Sequence, residues 1–318
     1  MTRKFDAWDG EGGSLSAEEN RVVTERWERA ATARTRLDGI MTGIQQSTAE
    51  SHGGKLEGLE YSLKGIDSFR RKAATAKDEG DSVTKTAKKI KDLNRYTLTF
   101  ESEKYTEGVE RTYEELRGQG YEPIPGSEKN TWGDPVYKGV NTSWQNPATE
   151  EKFELQFHTP ESFKAKMENH ELYEISRADT FEKFTGKNEE LARQYQDAAN
   201  YLQSKRYDNV QIPPGAERIG EPLIRDTLEP HRDPKIVEHV AQLEEERRVE
   251  NAAKASPAAA QQSVNALGVD LGESLQADGP DLRSRLAPKY EPARRPNAQA
   301  PAVDPLPTQS RGRGPALA

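Results

Sequence analysis

The sequence predicts an α+β protein: a mixed β-sheet flanked by helices, with an N-terminal amphipathic helix and a disordered C-terminal tail. Three observations lead there. Stretches of period-two alternation stand among stretches of helical spacing. Trp, Tyr, Phe and Ile concentrate between about residues 56 and 224, and the last 65 or so residues carry hardly any. Only 33% of the 318 residues are hydrophobic and 31% are charged, which leaves material for one core but not for packing the whole chain.

Residues 1–15 are polar and expected to be disordered, and a helical segment occupies 16–57. Within it Val23, Trp27, Ala30, Leu37, Met41 and Ile44 recur at spacings of three, four and seven, Ser16 is placed to cap, and Glu19 stands at the capping-box position. Gly53 and Gly54 end that pattern, and a second helix is expected from about Ser68 to Ala76. Tyr96, Leu98 and Phe100 alternate with Arg95, Thr97 and Thr99, as in a strand with one buried face. Tyr105 to Leu116 reads as helix, stopped at Gly118 and Gly120. Val136 to Trp144 and Lys152 to His158 alternate and are joined by a turn at 145–149, the pattern of an antiparallel hairpin. Pro160 opens a helix to about Arg177, and another spans roughly Asn188 to Lys205. A short helical extension follows over 226–250. From 251 to 318 Ala, Pro, Gln, Ser and Arg dominate, a composition too poor in apolar area to offset its ordering entropy.

The net charge of −8 argues against a general nucleic-acid binder, which needs a basic excess to neutralise phosphates, but leaves open a local basic site for a small nucleotide. With no cysteine there is no disulfide, thiol nucleophile, thiolate zinc site or iron–sulfur cluster. No run of 18 apolar residues occurs and Met1 to Gly13 lacks an apolar stretch, so neither a membrane span nor a Sec-type signal is expected.

Four groups of residues could carry chemistry. In the strand Phe153-Glu154-Leu155-Gln156-Phe157 the period of two sends the apolar residues to the core and leaves Glu154 and Gln156 together on the other face, where a glutamate must be solvated, paired or bound to a metal. Asp92, just before the strand at Asn94, is a second carboxylate; two acids on neighbouring strands suit magnesium, and a lone aspartate there equally caps a turn. Alternation puts Tyr137 and Asn141 on one side, where an aromatic ring stacks on a base or packs in the core. Lys64, Ser68 and Lys72 recur every four residues and, if helical, share a basic face that meets phosphate oxygens or solvent.

Taken in order, these groups resemble the RelA/SpoT synthetase family over about 120 residues, and the resemblance implies a nucleotidyltransferase-like sheet and a synthetase domain over 58–225. Lys64, Ser68 and Lys72 fall where that family has lysine, serine and lysine in its first ATP-binding segment. Ile90-Lys91-Asp92-Leu93 is similar to its strand entry, which makes Asp92 the metal ligand. Tyr137-Lys138-Gly139-Val140-Asn141 is similar to its Gly-Tyr-Arg-Ser-Leu-His segment, with Tyr137 as base stacker and Asn141 at the histidine. Glu154-Leu155-Gln156-Phe157-His158-Thr159 matches Glu-Ile-Gln-Ile-Arg-Thr, and His170 and Tyr173 sit like the histidine and tyrosine of the helix that follows. The wording is closest to a branch that includes secreted actinobacterial nucleotide 3′-pyrophosphokinases and toxin-like synthetases. Ser62 replaces an arginine of the family, Arg95 and Thr97 replace its glycine and arginine, and Gly133-Asp134-Pro135-Val136 replaces its Lys-x-Asn-Gly. Arg70, Arg71, Arg95 and Lys129 are the candidates to restore the missing charge.

The resemblance implies Mg²⁺-dependent transfer of pyrophosphate from ATP to the 3′-hydroxyl of a purine nucleotide. Asp92 and Glu154 would hold the metal, Asp92, Glu154 and Gln156 would form the catalytic set, and Lys64, Ser68, Arg71, Lys72, Arg95, Tyr137, Lys138, Asn141, His158 and His170 would bind the two substrates. Because His52 is the only histidine before Gly58, no hydrolase domain is expected. The setting implied is the bacterial cytoplasm, reached from inside or by non-Sec delivery, with any antitoxin or delivery partner unspecified. Two rival expectations stand beside it: a toxin acting on the tRNA 3′ end through Lys85, Lys88, Lys89 and Lys91, and a non-catalytic phage or polymorphic-toxin protein carrying a relic domain.

Overall fold

Three alternating segments build the centre of the sheet. In the computed structural model, which describes residues 5–10, 13–177, 180–186, 188–223 and 233–255, the chain runs through β1 (Trp8–Gly10), β2 (Gly13–Leu15), α1 (Ala17–His52), β3 (Lys55–Glu57), α2 (Ile66–Asp78), α3 (Val83–Lys89), β4 (Arg95–Thr99) and α4 (Tyr105–Gly118). It continues through β5 (Glu122–Pro123), β6 (Lys129–Asn130), β7 (Val140–Gln145), β8 (Lys152–His158), α5 (Pro160–Glu168), α6 (His170–Arg177), α7 (Thr180–Phe184), α8 (Glu189–Tyr207), β9 (Glu221–Pro222) and α9 (Pro234–Ala255). The fold is mixed α+β. Among the described residues, no helix is long and apolar enough to cross a membrane.

The sheet order is β3-β4-β8-β7-β6-β9, with β5 added beside β7. β4 and β8 are parallel and β7 and β8 antiparallel, so the sheet is mixed. In register, Arg95 faces Glu154, Thr97 faces Gln156, and Gln156 also faces Asn141. These polar residues therefore share one face. Tyr96, Leu98, Phe153, Leu155, Phe157, Val140 and Trp144 form the other, and it is buried with Leu37, Met41 and Ile44 of α1 and Tyr105, Val109 and Leu116 of α4. The β7–β8 turn is set by Asn146, whose Oδ1 accepts from the N–H groups of Ala148 and Thr149.

α1 starts at Ser16, whose hydroxyl accepts from the Glu19 N–H while the Glu19 carboxylate accepts from the Ser16 N–H. It ends at Gly53, which adopts the left-handed conformation (φ 66°) and whose N–H closes on Ala49. The first half of α1 packs a second apolar cluster with Phe69, Ala73 and Ala74 of α2, Val83 and Ala87 of α3, and Ile90 and Leu93. Asp38 of α1 ties the two layers: its Oδ1 accepts from the Tyr96 and Ser62 hydroxyls at 2.7 and 2.9 Å, and Arg34 bonds its other oxygen.

Three expectations are corrected and one is lengthened. The N-terminal stretch expected to be disordered carries the β1–β2 hairpin, with Leu15 buried among α2 and α3 residues. The helix expected over 160–177 is two, because Asn169 closes α5 and starts α6 while its side chain bonds Gln203 and Arg206 of α8. The helix expected in the extension is α9, which starts at Pro234 and runs on to Ala255. Tyr137 lies in a loop before β7, held by Asp134 Oδ1, which accepts from the N–H groups of Val136 and Tyr137. Beyond Ala255 the tail lies outside the described residues.

Candidate functional site

Antiparallel pairing of residues 62–64 with 93–95 continues the β3–β4 edge: Lys64 N–H donates to Leu93 O and Arg95 N–H to Ser62 O. Lys64 thus precedes α2 rather than belonging to it, and the shared helical face expected for Lys64, Ser68 and Lys72 does not form. The two lysines converge nonetheless. Lys64 Nζ lies 2.8 Å from Asp92 Oδ2 and Lys72 Nζ 3.1 Å from Asp92 Oδ1. Burial disfavours the Asp92 anion, but Lys64 and then Lys72 outweigh it and hold the carboxyl down at about 2. Ser68 is half-buried in the first turn of α2, and Arg71 is exposed on it. Arg70 turns to α1, bonding Asn20 and Thr24.

On β8, Gln156 Nε2 donates to Glu154 Oε1 at 2.5 Å. Glu154 also stands opposite Arg95 of β4, and its N–H donates to Asn94 O. Burial raises the Glu154 carboxyl; Arg95 opposes that and the Asp92 charge adds to it, so the two carboxylates sit within electrostatic reach of each other. Magnesium accepts one or two carboxylates with the remaining positions filled by water and phosphate oxygens. Asp92 and Glu154 fit that donor set. Among the described residues no group of three or more His, Asp or Glu side chains could hold an ion without such help.

The Tyr137 hydroxyl lies 3.0 Å from Asn141 Oδ1 and 3.0 Å from His158 Nε2, with its ring edge-on to the imidazole. His158 Nδ1 faces the Lys138 carbonyl at 3.0 Å and Ser162 Oγ at 2.8 Å. A carbonyl only accepts, so the ring carries its proton on Nδ1, and Nε2 and Asn141 Oδ1 are both acceptors facing the single proton of the tyrosine hydroxyl. Burial, helped by Lys166, keeps that imidazole neutral well below its ordinary range.

Three of the residues expected to bind substrate have protein partners or stand elsewhere. His158 is fully buried and supports Tyr137 from behind instead of facing solvent. Lys138 spends its ammonium on the Val210 carbonyl, 2.7 Å away. His170 lines a separate cleft of about 720 Å³ with Glu171, Arg206 and Arg248.

Two residues were missed. Ser162 and Lys166, four apart on α5, point at the polar row of β8: Ser162 at His158, and Lys166 Nζ at Gln156 Oε1, 2.5 Å away. Burial and the nearby Arg95 lower the Lys166 ammonium to about 8. Spacing of i and i+4 directly after a strand was the available signal. The polar face carries Arg95, Glu154 and Gln156, with Lys166 of α5 on Gln156, and the Lys64–Asp92–Lys72 cluster lies at the entry to β4; together these four cations outnumber the two carboxylates, a balance suited to a polyanionic ligand. No protein-family model matches the chain and no curated protein is significantly similar to it, so the residues themselves carry the functional reading.

Proposed function

We propose that this chain transfers the pyrophosphoryl group of ATP to the 3′-hydroxyl of a purine nucleotide, releasing AMP, without hydrolase activity. Residues 58–225 would form its nucleotidyltransferase-like, RelA/SpoT-related domain. The observation that carries the reading is Asp92, clamped by Lys64 and Lys72 just before β4, within electrostatic reach of Glu154, which Gln156 bonds on the polar face of the sheet. The arrangement combines cations for phosphate oxygens with two acids near the reacting atoms.

In this account the ATP phosphates lie against Lys64 and Lys72, and the acceptor base lies on Tyr137, whose ring is fixed by His158 and Asn141. The acceptor O3′ forms a bond to the β-phosphorus as the bond from that phosphorus to the α–β bridging oxygen breaks, and AMP leaves with the bridging oxygen. Glu154, whose basicity burial increases, takes the hydroxyl proton. Arg95 and Gln156 keep Glu154 in place. Magnesium held by Asp92 and Glu154 would neutralise phosphate charge and fix its orientation.

The test is incubation with magnesium, γ-labelled ATP and, separately, GTP, GDP, ATP, ADP, AMP and bulk tRNA. Label appearing in one nucleotide with matching AMP supports the reading. ATP left intact with every acceptor contradicts it.

A further inference from the structure

Lys166 is placed for a task that the motif residues do not cover. α5 begins at Thr159, whose hydroxyl accepts from the Ser162 N–H, and crosses beside β8 so that Ser162 and then Lys166 face the row His158, Gln156, Glu154. Among the described residues, the Lys166 ammonium has one hydrogen-bond partner, the neutral Gln156 carbonyl, and no carboxylate within ion-pair distance. An ammonium carries three donors, and a half-buried cation beside another cation, Arg95, is costly until an anion meets it. Its ordinary range is already depressed for those reasons. An anionic oxygen arriving from solvent would relieve both costs.

The location says which anion. Lys166 stands over the middle of β8, with Arg95 and Thr97 of β4 on one side, and on the other it is joined through Gln156 to Asn141 of β7, which meets the Tyr137 hydroxyl. The Lys64–Asp92–Lys72 cluster lies at the entry to β4. Resting on the transferase reading, we propose that Lys166 binds a 5′-phosphate oxygen of the acceptor, and so makes the site select a nucleotide over a nucleoside.

The test uses the full chain as wild type, Lys166→Met and Lys166→Arg, each checked for an unchanged thermal transition. Binding of GDP, ADP, guanosine and adenosine is measured by calorimetry with magnesium and saturating α,β-methylene-ATP on the donor side. Loss of one charged hydrogen bond should weaken binding of the diphosphates by on the order of ten- to a hundredfold in Lys166→Met, with nucleoside affinity unchanged and most of the loss restored in Lys166→Arg. Equal affinity of wild type and Lys166→Met for the diphosphates overturns the proposal, as does an equal loss for nucleosides. If nucleotide binding depends on Lys166 while wild type transfers no pyrophosphate, the phosphate contact stands and the transferase reading falls. Wild type binding no purine nucleotide at all overturns both.

Discussion

Lys64 reaches Asp92 from outside the helix that carries Lys72, so a loop lysine and a helix lysine close on the two oxygens of one carboxylate, at 2.8 and 3.1 Å. The pairing keeps Asp92 ionised in a largely buried place and holds two ammonium groups side by side, where the proposed function puts the phosphates of ATP.

Asp92→Asn keeps the shape and removes that charge. Turnover should fall by on the order of a hundred- to a thousandfold or more. A carboxylate with a depressed folded pKa stabilises the fold above its unfolded value and loses that contribution as pH drops through the folded one. Wild type should therefore lose on the order of 2 kcal/mol through Asp92 as pH falls from about 3.8 to about 2, and the variant should not. Urea unfolding across that window reads the difference.

Glu154 has the opposite sign. Its folded pKa is raised, so its stabilising contribution is complete below its unfolded value of about 4.5 and is lost as pH rises through the folded value. Glu154→Gln, which keeps an oxygen for the Gln156 amide, should melt at a higher temperature than wild type at neutral pH. The gain should vanish below about 4.5, and turnover should drop at least about a hundredfold. Calorimetric scans at both pH values, paired with rates, test this.

His158 is a base held neutral by burial, so the unfolded chain takes up its proton first and stability falls as pH drops below the ordinary value of about 6.5. This group alone contributes a slope of about 1.4 kcal/mol per pH unit there. His158→Gln should flatten the stability profile by that amount, and denaturant titrations of both proteins measure it.

Gly139 leaves no room behind His158. A Cβ there would stand 2.7 Å from His158 Cε1 and 2.9 Å from Phe157 O, so Gly139→Ala should cost about 1–3 kcal/mol and loosen Tyr137. Gly39 of α1 has open space, and Gly39→Ala should be neutral or stabilising by up to about 1 kcal/mol. Thermal melts of the pair separate the local clash from a general intolerance of alanine.

Much of the frame was legible because it follows local rules: the Ser16–Glu19 box, the alternation of Tyr96 and Leu98, and the Asn146 turn each need only a few neighbouring residues. The N-terminal hairpin escaped because Trp8 and Leu15 are isolated apolar residues whose burial depends on α2 and α3. The break at Asn169 escaped because its cause lies on α8, at Gln203 and Arg206. In the site, Asp92, Glu154 and Tyr137 stood out by position in strand patterns, whereas Lys166 looked like any surface lysine until α5 was laid beside β8. The resemblance made His158 a substrate contact, but could not show that Tyr137 and Ser162 would cover it.

The measurement closest to the central claim is ³¹P NMR of ATP, magnesium and the preferred acceptor with wild type and with Asp92→Asn. The account predicts AMP and a nucleotide 3′-diphosphate rising in equal amounts with wild type and neither with the variant. Release of ADP and phosphate instead, or equal product from Asp92→Asn, would contradict it.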